Sequence, residues 1–246
     1  MRKCVIFGAT SAMAMETAKY LAADHDEILL VARNEEHLNT IKSDLLTRGA
    51  SKVDVLPWNA SDCSSHSYLL GKLEEICPLY DTVLFAYGSL GDQKACELDF
   101  SKTYDELNTN FLSVISLLTH IANRFEAQGT GTIACISSVA GDRGRQSNYI
   151  YGTAKGALSI FLQGLRNRLY SKGVSVITIK PGFVSTPMTA NIPTNKLFIS
   201  SAQAGKAIYN AIDKKRDVVY VAWYWFFIML IIKAIPDFLF KRQNKI

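Results

Sequence analysis

Short apolar runs and longer amphipathic segments alternate along the whole chain, and this alternation restricts the possible folds more than any other feature. The apolar runs are rich in Val and Ile without polar alternation, which is typical of strands buried on both faces. Segments with helical periodicity separate them, for example 15–23, 35–47 and 64–76. Strict strand–helix alternation predicts an α/β fold with a doubly wound parallel sheet. The predicted strands are 4–7, 27–31, 53–57, 82–86, 131–136, 174–179 and 217–221.

Length and composition agree with one globular domain. The chain has 246 residues, 48% of them hydrophobic, and no linker rich in Pro, Gly or Ser divides it. A single core of ordinary size can therefore form. The five Cys include no CxxC pair, and the four His are scattered. We expect neither a disulfide framework nor a metal site, and we expect a reducing, cytoplasmic compartment.

Positive charge is concentrated towards the C-terminal end. The net charge is +5, and residues 203–246 account for all of it, because they carry eight Lys/Arg against three Asp. A nucleic-acid-binding protein normally shows a basic stripe on its folded body, so no nucleic-acid partner is expected. The basic residues here surround an apolar run, which indicates contact with an anionic membrane surface.

The N-terminal segment has two interpretations. Arg2 and Lys3 followed by apolar residues imitate a signal peptide. The alternative is a buried first strand that runs into a glycine turn. We favour the strand, because residues 5–16 complete a strand–turn–helix motif. In that motif Gly8 permits a tight turn, and the small Ala12 and Ala14 let the backbone approach a pyrophosphate at the helix N-terminus.

The second predicted strand indicates which dinucleotide would bind. An acidic residue at its end would bind the 2′-hydroxyl of NAD, but the chain has Arg33 there and no carboxylate between Glu27 and Glu35. A planar guanidinium can contact phosphate oxygens in pairs. We therefore predict NADP(H) in preference to NAD(H). The alternative is an arginine that is merely solvated.

Tyr151 and Lys155 are one helical turn apart, on the same face of a predicted helix. A nearby ammonium favours the phenolate and lowers the pKa of a tyrosine. Tyr151 is then able to exchange a proton with a carbonyl oxygen during hydride transfer. Tyr68 and Lys72 have the same spacing, but only Tyr151 follows a buried strand that ends near Ser138. We expect an ordinary exposed helix at Tyr68.

Together these elements resemble the short-chain dehydrogenase/reductase family, in its single-domain branch with a Rossmann fold. The similarity runs from about residue 3 to residue 221, which is nearly the whole chain. The motifs follow the order of the family: the glycine turn 8–14, Asn110, Ser138, Tyr151 with Lys155, and Pro181-Gly182 with Thr186.

The resemblance implies roles for these residues. Tyr151 would be the general acid in reduction or the base in oxidation, and Lys155 would bind the nicotinamide ribose and lower the pKa of Tyr151. Ser138 would orient the substrate carbonyl, and Asn110 would hold a water in a proton relay. Thr186 would contact the nicotinamide carboxamide. The implied cofactor-binding residues are Gly8, Thr10, Ser11, Ala12, Met13, Ala14, Arg33, Asn59, Ala60, Ala86, Tyr87, Gly88, Tyr151, Lys155, Pro181, Gly182, Val184 and Thr186.

Three features depart from the family pattern. Ala12 and Ala14 replace glycines, and the segment 85–88 reads Phe-Ala-Tyr-Gly where Asn-Asn-Ala-Gly is usual. Asn59 stands where relatives have an Asp that contacts adenine. These differences affect the expected affinity for the cofactor more than the expected catalytic reaction. Asn59 can still accept a hydrogen bond from an adenine amine through its amide oxygen.

The C-terminal end carries an apolar segment. Residues 218–232 are uncharged and include the aromatic cluster 223–227. We expect a last strand at 218–221 and a helix at 222–235, which is about 21 Å long and too short for a bilayer core of roughly 30 Å. The chain thus divides into a Rossmann domain, 1–221, and an apolar and basic extension, 222–246. The extension is interpreted either as an interfacial membrane helix, or as a helix packed on a partner subunit or over the active site.

The leading hypothesis is an NADPH-dependent reductase of a ketone on an amphiphilic or lipid-linked substrate, peripherally bound at the cytoplasmic face of a membrane. The tail, with the segments 90–92 and 197–198, is similar to the decaprenylphosphoryl keto-pentose reductases, which reduce a keto-sugar carried on a polyprenyl phosphate. The alternatives are a reductase of a small soluble carbonyl or 3-oxoacyl substrate, and a non-catalytic dinucleotide-binding scaffold. Long helices predicted at 102–126 and 148–170 pair between subunits in relatives, so a homodimer or homotetramer is expected.

Overall fold

The computed structural model describes residues 1–243, and their central element is a seven-stranded parallel sheet. Two further short strands pair with each other separately. The strands are β1 (Lys3–Phe7), β2 (Glu27–Ala32), β3 (Lys52–Pro57), β4 (Thr82–Phe85), β5 (Gly131–Ile136), β6 (Val174–Lys180), β7 (Val184–Ser185), β8 (Ile199–Ser200) and β9 (Val218–Tyr220). The sheet has the spatial order β3-β2-β1-β4-β5-β6-β9, which confirms the predicted doubly wound α/β fold.

Helices connect successive strands and cover both faces of the sheet. The helices are α1 (Ala12–Ala23), α2 (Glu35–Thr47), α3 (His66–Ile76), α4 (Gln93–Leu98), α5 (Phe100–Leu107), α6 (Ser113–Gln128), α7 (Tyr149–Tyr170), α8 (Ser201–Asp213), α9 (Tyr224–Ala234) and α10 (Asp237–Phe240).

Two hydrophobic clusters hold the layers together, one on each face of the sheet. Side chains of α3, α6 and α7 pack with Val5 and Phe7 on one face, and side chains of α1, α2 and α8 pack with Cys4 and Ile6 on the other. The four β1 residues Cys4, Val5, Ile6 and Phe7 are all buried, although neighbours in a strand point to opposite faces. This two-sided burial explains why the strands read as continuous apolar runs. The N-terminal run is thus a strand of the sheet.

The order of the strands opens a crevice beside β1. This strand pairs with β2 on one side and with β4 on the other, so the connections after β1 and β4 leave towards opposite faces of the sheet. Ligands of such sheets bind at this switch point, outside the carboxyl ends of the strands. The loops that follow β1, β4, β5 and β6 meet at this edge, and they carry most of the predicted site residues.

The predicted helix 102–126 is interrupted. Its first part is α5, its second part is α6, and a π-helical turn, Asn108–Leu112, separates them. The Asn110 amide donates to the backbone oxygen of Glu106 at 3.1 Å, and such local side-chain bonds compete with regular helix bonding. A π-turn within a helix frequently marks a functional position.

The C-terminal segment follows its prediction with shorter bounds. The strand covers Val218–Tyr220, and α9 begins at Tyr224 because Ala222 and Trp223 form a turn before it. Pro236 ends the apolar helix, as its missing N–H predicts. No helix in the described range 1–243 has the length and hydropathy needed to cross a membrane. The last three positions of the predicted 222–246 extension lie outside the described residues.

Candidate active site

The turn after β1 is closed tightly around Gly8. This residue has φ +76°, and a Cβ on it would lie 2.5 Å from the backbone nitrogen of Tyr87. Its N–H donates to the Val31 carbonyl at 2.8 Å. Both the left-handed backbone and the close approach require glycine. The structure therefore explains the first glycine of the motif by the contact between the loops after β1 and β4.

The N-terminus of α1 follows directly on this turn. Its N-cap, Ser11, makes no side-chain capping bond, and the first turn contains no acidic residue. The Met15 N–H donates to the Ser11 carbonyl at 2.9 Å. The preceding N–H groups, at 12–14, lie before the first intrahelical acceptor, as at any helix start. Unpaired donors and the positive end of the helix dipole fit a pyrophosphate.

The ends of β2 and β3 border the far part of the crevice. Arg33 is exposed directly after β2, and Asn34 caps α2 by accepting from the His37 N–H at 2.8 Å. Glu35 and Glu36 lie in the first turn of α2, where carboxylates interact favourably with the positive end of the helix dipole. The guanidinium of Arg33 is thus accessible at the strand end where the sequence places a 2′-phosphate.

A buried histidine supports the loop after β3. The Ala60 carbonyl and the Nε2 of His66 are 2.9 Å apart, and burial lowers the pKa of His66. The ring is therefore neutral at physiological pH. The exposed Asn59 uses its amide oxygen to accept from the Ser61 N–H at 3.2 Å. Sequence reasoning missed His66, since no motif marks it and its contact with Ala60 depends on how the chain turns between β3 and α3.

The predicted cofactor residues differ in exposure. Arg33 and Asn59 are exposed, whereas Tyr151 is half-buried and Lys155 is buried. Among the others, the buried residues are Ala14, Ala60, Ala86, Pro181 and Val184, and the half-buried residues are Gly8, Thr10, Ser11, Ala12, Met13, Tyr87, Gly88, Gly182 and Thr186.

Gly88 lies beside two members of the predicted catalytic group, Asn110 and Lys155. A Cβ on this residue would lie 2.6 Å from Asn110 Oδ1 and 3.3 Å from Lys155 Nζ. The preceding Tyr87 points its hydroxyl towards Ser113, with the two oxygens 3.1 Å apart. The segment after β4 therefore touches the relay asparagine and the lysine, although its sequence departs from the usual Asn-Asn-Ala-Gly.

The loop after β5 packs directly on the backbone of α7. A Cβ on Gly141 would lie 2.6 Å from the backbone nitrogen of Gly156, and one on Gly152 would lie 2.9 Å from the Ala140 carbonyl. The Ser138 hydroxyl accepts from the Ala140 N–H at 3.1 Å. These contacts set the distance between Ser138 and the first turns of α7. The spacing of Gly152 and Gly156, four apart on α7, is the sequence signal for this packing.

Tyr151 and Lys155 lie together, but one expected effect is wrong. Burial raises the pKa of Tyr151 to about 12, and a hydrogen bond with Ser138 opposes that rise. The ammonium of Lys155 donates to the Ile136 carbonyl at 3.1 Å and lies 5.8 Å from the centre of the tyrosine ring. Burial lowers the pKa of Lys155 itself to about 8. Desolvation therefore outweighs charge pairing here.

Asn110 is fully buried at the π-turn. Its amide oxygen accepts from the Ser89 N–H at 3.2 Å. Its amide nitrogen donates to both the backbone and the carboxylate of Glu106, each at 3.1 Å. The side chain thus braces the loop after β4 against α5, and its role in a proton relay stays a prediction.

The competing pair on α3 is exposed, as predicted. The Tyr68 side chain is 61% exposed. Its ring stacks on Trp58, and the ammonium of Lys72 lies 5.6 Å from the ring centre. Lys72 also pairs with Glu75 at 2.6 Å, so this pair forms part of the solvated surface.

The loop after β6 is covered by the C-terminal helix. Pro181 accepts from the Val139 N–H at 3.0 Å, which joins it to the Ser138 loop. A Cβ on Gly182 would lie 2.0 Å from the indole of Trp225. Thr186 begins a short turn that Thr189 closes by accepting from the Thr186 N–H at 3.2 Å. Residues 139, 222, 225 and 229 form one buried cluster, so α9 is packed on the site.

Arg143 fastens the end of that helix to the loop after β5. Its guanidinium donates to the carbonyls of Ile232 and Ile235, each at 2.6 Å, and pairs with Asp237 at 2.7 Å. It also lies 3.8 Å from the ring centre of Phe240. No local pattern in the sequence predicts this role, because these contacts join residues roughly ninety positions apart.

Comparison with known proteins identifies related chains. The model of the short chain dehydrogenase family matches residues 2–197. An uncharacterized oxidoreductase of Mycobacterium tuberculosis (strain ATCC 25618 / H37Rv) is 32% identical over 241 residues, covering 98% of this chain and 96% of the relative. One of Streptomyces coelicolor is 31% identical over 245 residues, covering 98% and 95%. A ketoacyl reductase of Nostoc sp. (strain PCC 7120) is 23% identical over 215 residues, covering 85% and 73%.

Solved structures share the fold. A short-chain dehydrogenase from Sphingobium yanoikuyae in complex with NADPH superposes with a TM-score of 0.83 at 21% identity, covering 96% of this chain and 97% of that one. The actinorhodin polyketide ketoreductase with NADPH has a TM-score of 0.78 at 20% identity, covering 89% and 95%.

Proposed function

Because this chain belongs to the short-chain dehydrogenase family, we propose that it is an NADPH-dependent reductase of a ketone on an amphiphilic or lipid-linked substrate. Family membership makes it an NAD(P)-dependent oxidoreductase. The observation that carries the proposal is the group of Ser138, Tyr151 and Lys155, in which Lys155 lies beside Gly88 and Ser138 bonds Tyr151. An apolar helix packs over the same edge of the sheet.

The proposed chemistry assigns one step to each side chain. A reduced nicotinamide dinucleotide bound in the crevice would supply the hydride that the carbonyl carbon receives. Tyr151 donates its proton to the carbonyl oxygen, and Ser138 donates a hydrogen bond to that oxygen. A tyrosine whose pKa is raised to about 12 is protonated at neutral pH, which is the form that an acid in reduction needs. Lys155 binds the nicotinamide ribose, and Asn110 holds the water of the proton relay.

The cofactor would lie along the crevice from Arg33 to Gly182. The open end of α1 and the tight turn at Gly8 fit the pyrophosphate. Arg33 would pair with the 2′-phosphate and so favour NADP(H), and Asn59 with Ala60 would border the adenine. The other residues predicted to bind the cofactor border the same crevice through the loops after β1, β4 and β6.

The C-terminal extension supports an amphiphilic substrate. One side of α9 is buried through Trp225 and Met229, whereas the other side and α10 expose large apolar side chains. We call these exposed residues the tail face. The tail face comprises Trp223, Phe226, Phe227, Leu230, Ile231, Phe238 and Leu239.

Basic residues border the tail face at Lys233, Lys241 and Arg242. Aromatic side chains beside cations are typical of interfacial helices that bind anionic lipid. We therefore propose that the tail face lies on an anionic membrane surface, with the active site directly behind it. A keto group on a lipid carrier, such as a polyprenyl-phosphate keto-sugar, would then reach the site from the membrane.

Subunit pairing is proposed for another surface. The helices α5 and α7 expose Phe100, Tyr104, Tyr149 and Ile160, and apolar side chains in such number favour burial against a second copy. We propose a homodimer or homotetramer through these helices. Light scattering at micromolar concentration tests this, and a monomer would contradict it.

The first experiment is titration of the purified protein with NADPH and NADH, followed by nicotinamide fluorescence. Tight NADPH binding with weaker NADH binding supports the proposal, and screening of NADPH oxidation with lipid-linked, cyclic and 3-oxoacyl ketones then defines the substrate. Turnover only of small soluble ketones would favour the soluble-carbonyl alternative. Wild-type turnover equal to that of Tyr151→Phe on every ketone would favour the scaffold.

Vesicle flotation tests the membrane contact. The variant Trp223→Ser/Phe227→Ser should lose binding to vesicles with phosphatidylglycerol, whereas Leu46→Ser/Leu79→Ser removes exposed apolar side chains elsewhere and should retain it. Equal binding of both variants, or binding independent of anionic lipid, would contradict the proposed contact.

A further inference from the structure

A carboxylate lies beneath the catalytic group at Glu106, in the last turn of α5. Its Oε1 accepts from the Ser89 hydroxyl at 2.8 Å, and its Oε2 accepts from the Asn110 amide at 3.1 Å. Its backbone oxygen accepts from the same amide at 3.1 Å. Glu106 is therefore bonded twice to the buried asparagine and once to the loop after β4.

The loop after β4 closes over this carboxylate. Gly91 has φ +63°, and a Cβ on it would lie 2.6 Å from Cδ of Glu106. The left-handed backbone at Gly91 lets the chain turn directly above the acid. With Ser89 and Asn110 on its other sides, the Glu106 side chain is fixed in one position.

Glu106 also differs from the other acidic residues of neighbouring helices. Glu97 pairs with Lys94, and Glu126 pairs with Arg168. Within residues 1–243 no ion pair joins Glu106 to a lysine or arginine. The negative charge of Glu106 interacts with Tyr151 and Lys155 instead. It adds to the rise in the pKa of Tyr151, and it opposes the fall that burial causes in the pKa of Lys155. A partly buried carboxylate without a cationic partner destabilises the folded protein unless hydrogen bonds satisfy its oxygens.

We infer that Glu106 is a positioning residue of this site, which fixes Asn110 and Ser89 and places a negative charge behind Tyr151 and Lys155. The charge favours the protonated forms of both groups. Reduction needs these forms, because Tyr151 gives a proton and Lys155 binds the ribose as an ammonium. The inference deepens the proposed function and rests on it for the direction of the reaction.

Few groups other than Glu106 affect the pKa values of Tyr151 and Lys155. Cys135 in β5 acts on Lys155, but burial raises the pKa of its thiol far above the usual range, so it is uncharged. Ser138 acts on Tyr151 through its hydrogen bond. Glu106 is thus the charged group whose removal tests the inference.

The first test uses cofactor-free protein and does not depend on turnover. Lysine labelled with ¹³C is titrated by NMR, and the Lys155 signal is assigned by its absence in Lys155→Arg. We expect a midpoint near pH 8 in the wild type and a midpoint lower by roughly 0.5 to 1 in Glu106→Gln. Glu97→Gln makes the same chemical change on the neighbouring α4 and should leave the midpoint unchanged. An unchanged midpoint in Glu106→Gln would overturn the electrostatic part.

The second test uses the holoenzyme with NADPH and a ketone that the wild type reduces. We plot kcat against pH and follow the decline of kcat on the alkaline side, which we call the alkaline limb. In Glu106→Gln we expect this limb to move to lower pH by the same amount as the NMR midpoint. Ser89→Ala removes one bond to Glu106 and keeps the charge, so it should lower kcat without moving the limb. A uniform loss of kcat at every pH in Glu106→Gln would indicate a merely structural residue.

The two tests separate the two proposals. If the wild type reduces no ketone while the NMR midpoint shifts as expected, the proposed reductase function fails and the role of Glu106 in the site stands. If the wild type reduces ketones and neither the midpoint nor the limb moves, the reductase function stands and the inference about Glu106 is wrong.

Discussion

The indole of Trp225 lies directly on Gly182, so that a Cβ on this glycine would be 2.0 Å from Trp225 Cε2. The same indole contacts the ring of Phe183 edge-on, with ring centres 5.5 Å apart. Gly182 belongs to the loop predicted to hold the nicotinamide, and Trp225 belongs to the C-terminal extension. The first helix of the extension therefore packs directly on the loop after β6.

This contact predicts the effect of a single methyl group. Gly182→Ala should destabilise the protein by about 1–3 kcal/mol, because the indole must shift in a packed cluster. Thermal unfolding measures the loss, and NADPH affinity should fall with it. Gly164→Ala places the same methyl group on α7 where no atom lies within 4 Å, and it should be neutral or slightly stabilising. Equal unfolding temperatures of the two variants would contradict the close packing.

The sequence predicts those parts of the site that depend on local spacing. Gly8 is recognisable because a strand, a turn and a helix follow one another, and Tyr151 and Lys155 because four residues make one helical turn. The covering of Gly182 by Trp225 and the fastening of α9 by Arg143 join distant residues, so no local pattern shows them. The pKa of Tyr151 depends on burial by the complete fold, and for this reason the spacing predicted its direction wrongly.

Tyr151→Phe removes the proposed acid and leaves the ring. Turnover should fall by about 10²- to 10⁴-fold, the usual contribution of a general acid, while the dissociation constant of NADPH changes little. Steady-state kinetics and fluorescence titration measure the two effects separately. Tyr68→Phe makes the same change in the exposed pair and should keep full activity. If Tyr151→Phe retains wild-type turnover, another group supplies the proton.

The pH dependence follows from Lys155. Burial lowers its pKa to about 8, so the ammonium is present below this pH and is lost as the pH rises through it. NADPH affinity and the rate of reduction should therefore decline above about pH 8, while Tyr151, with a pKa of about 12, is still protonated. Titrations of NADPH between pH 6 and 9 in steps measure this decline. A constant affinity across that range would mean that Lys155 does not bind the cofactor as a cation.

A buried ion pair connects the loop after β5 to the end of β6. Lys180 pairs with Asp142, whose other oxygen accepts from the Tyr220 hydroxyl at 2.6 Å. Lys180→Met should destabilise the protein by about 3–5 kcal/mol, since it leaves the carboxylate buried without its cation. The double variant Lys180→Met/Asp142→Leu removes both charges and should recover much of that loss. Urea unfolding measures both, and a single variant as stable as the wild type would contradict the burial of the pair.

Arg33 decides the choice of dinucleotide in the proposed function. Replacing it by Asp removes a charge-assisted contact of about 1.5–3 kcal/mol to the 2′-phosphate and supplies a carboxylate for the 2′-hydroxyl. The ratio of the NADPH and NADH dissociation constants should therefore shift at least about tenfold towards NADH. Arg48→Asp reverses the same charge at the other end of α2, where Arg48 pairs with Asp44, and should leave the ratio unchanged. If both variants keep the wild-type ratio, Arg33 is merely solvated; if both shift it equally, the effect is one of overall charge and not of a specific contact.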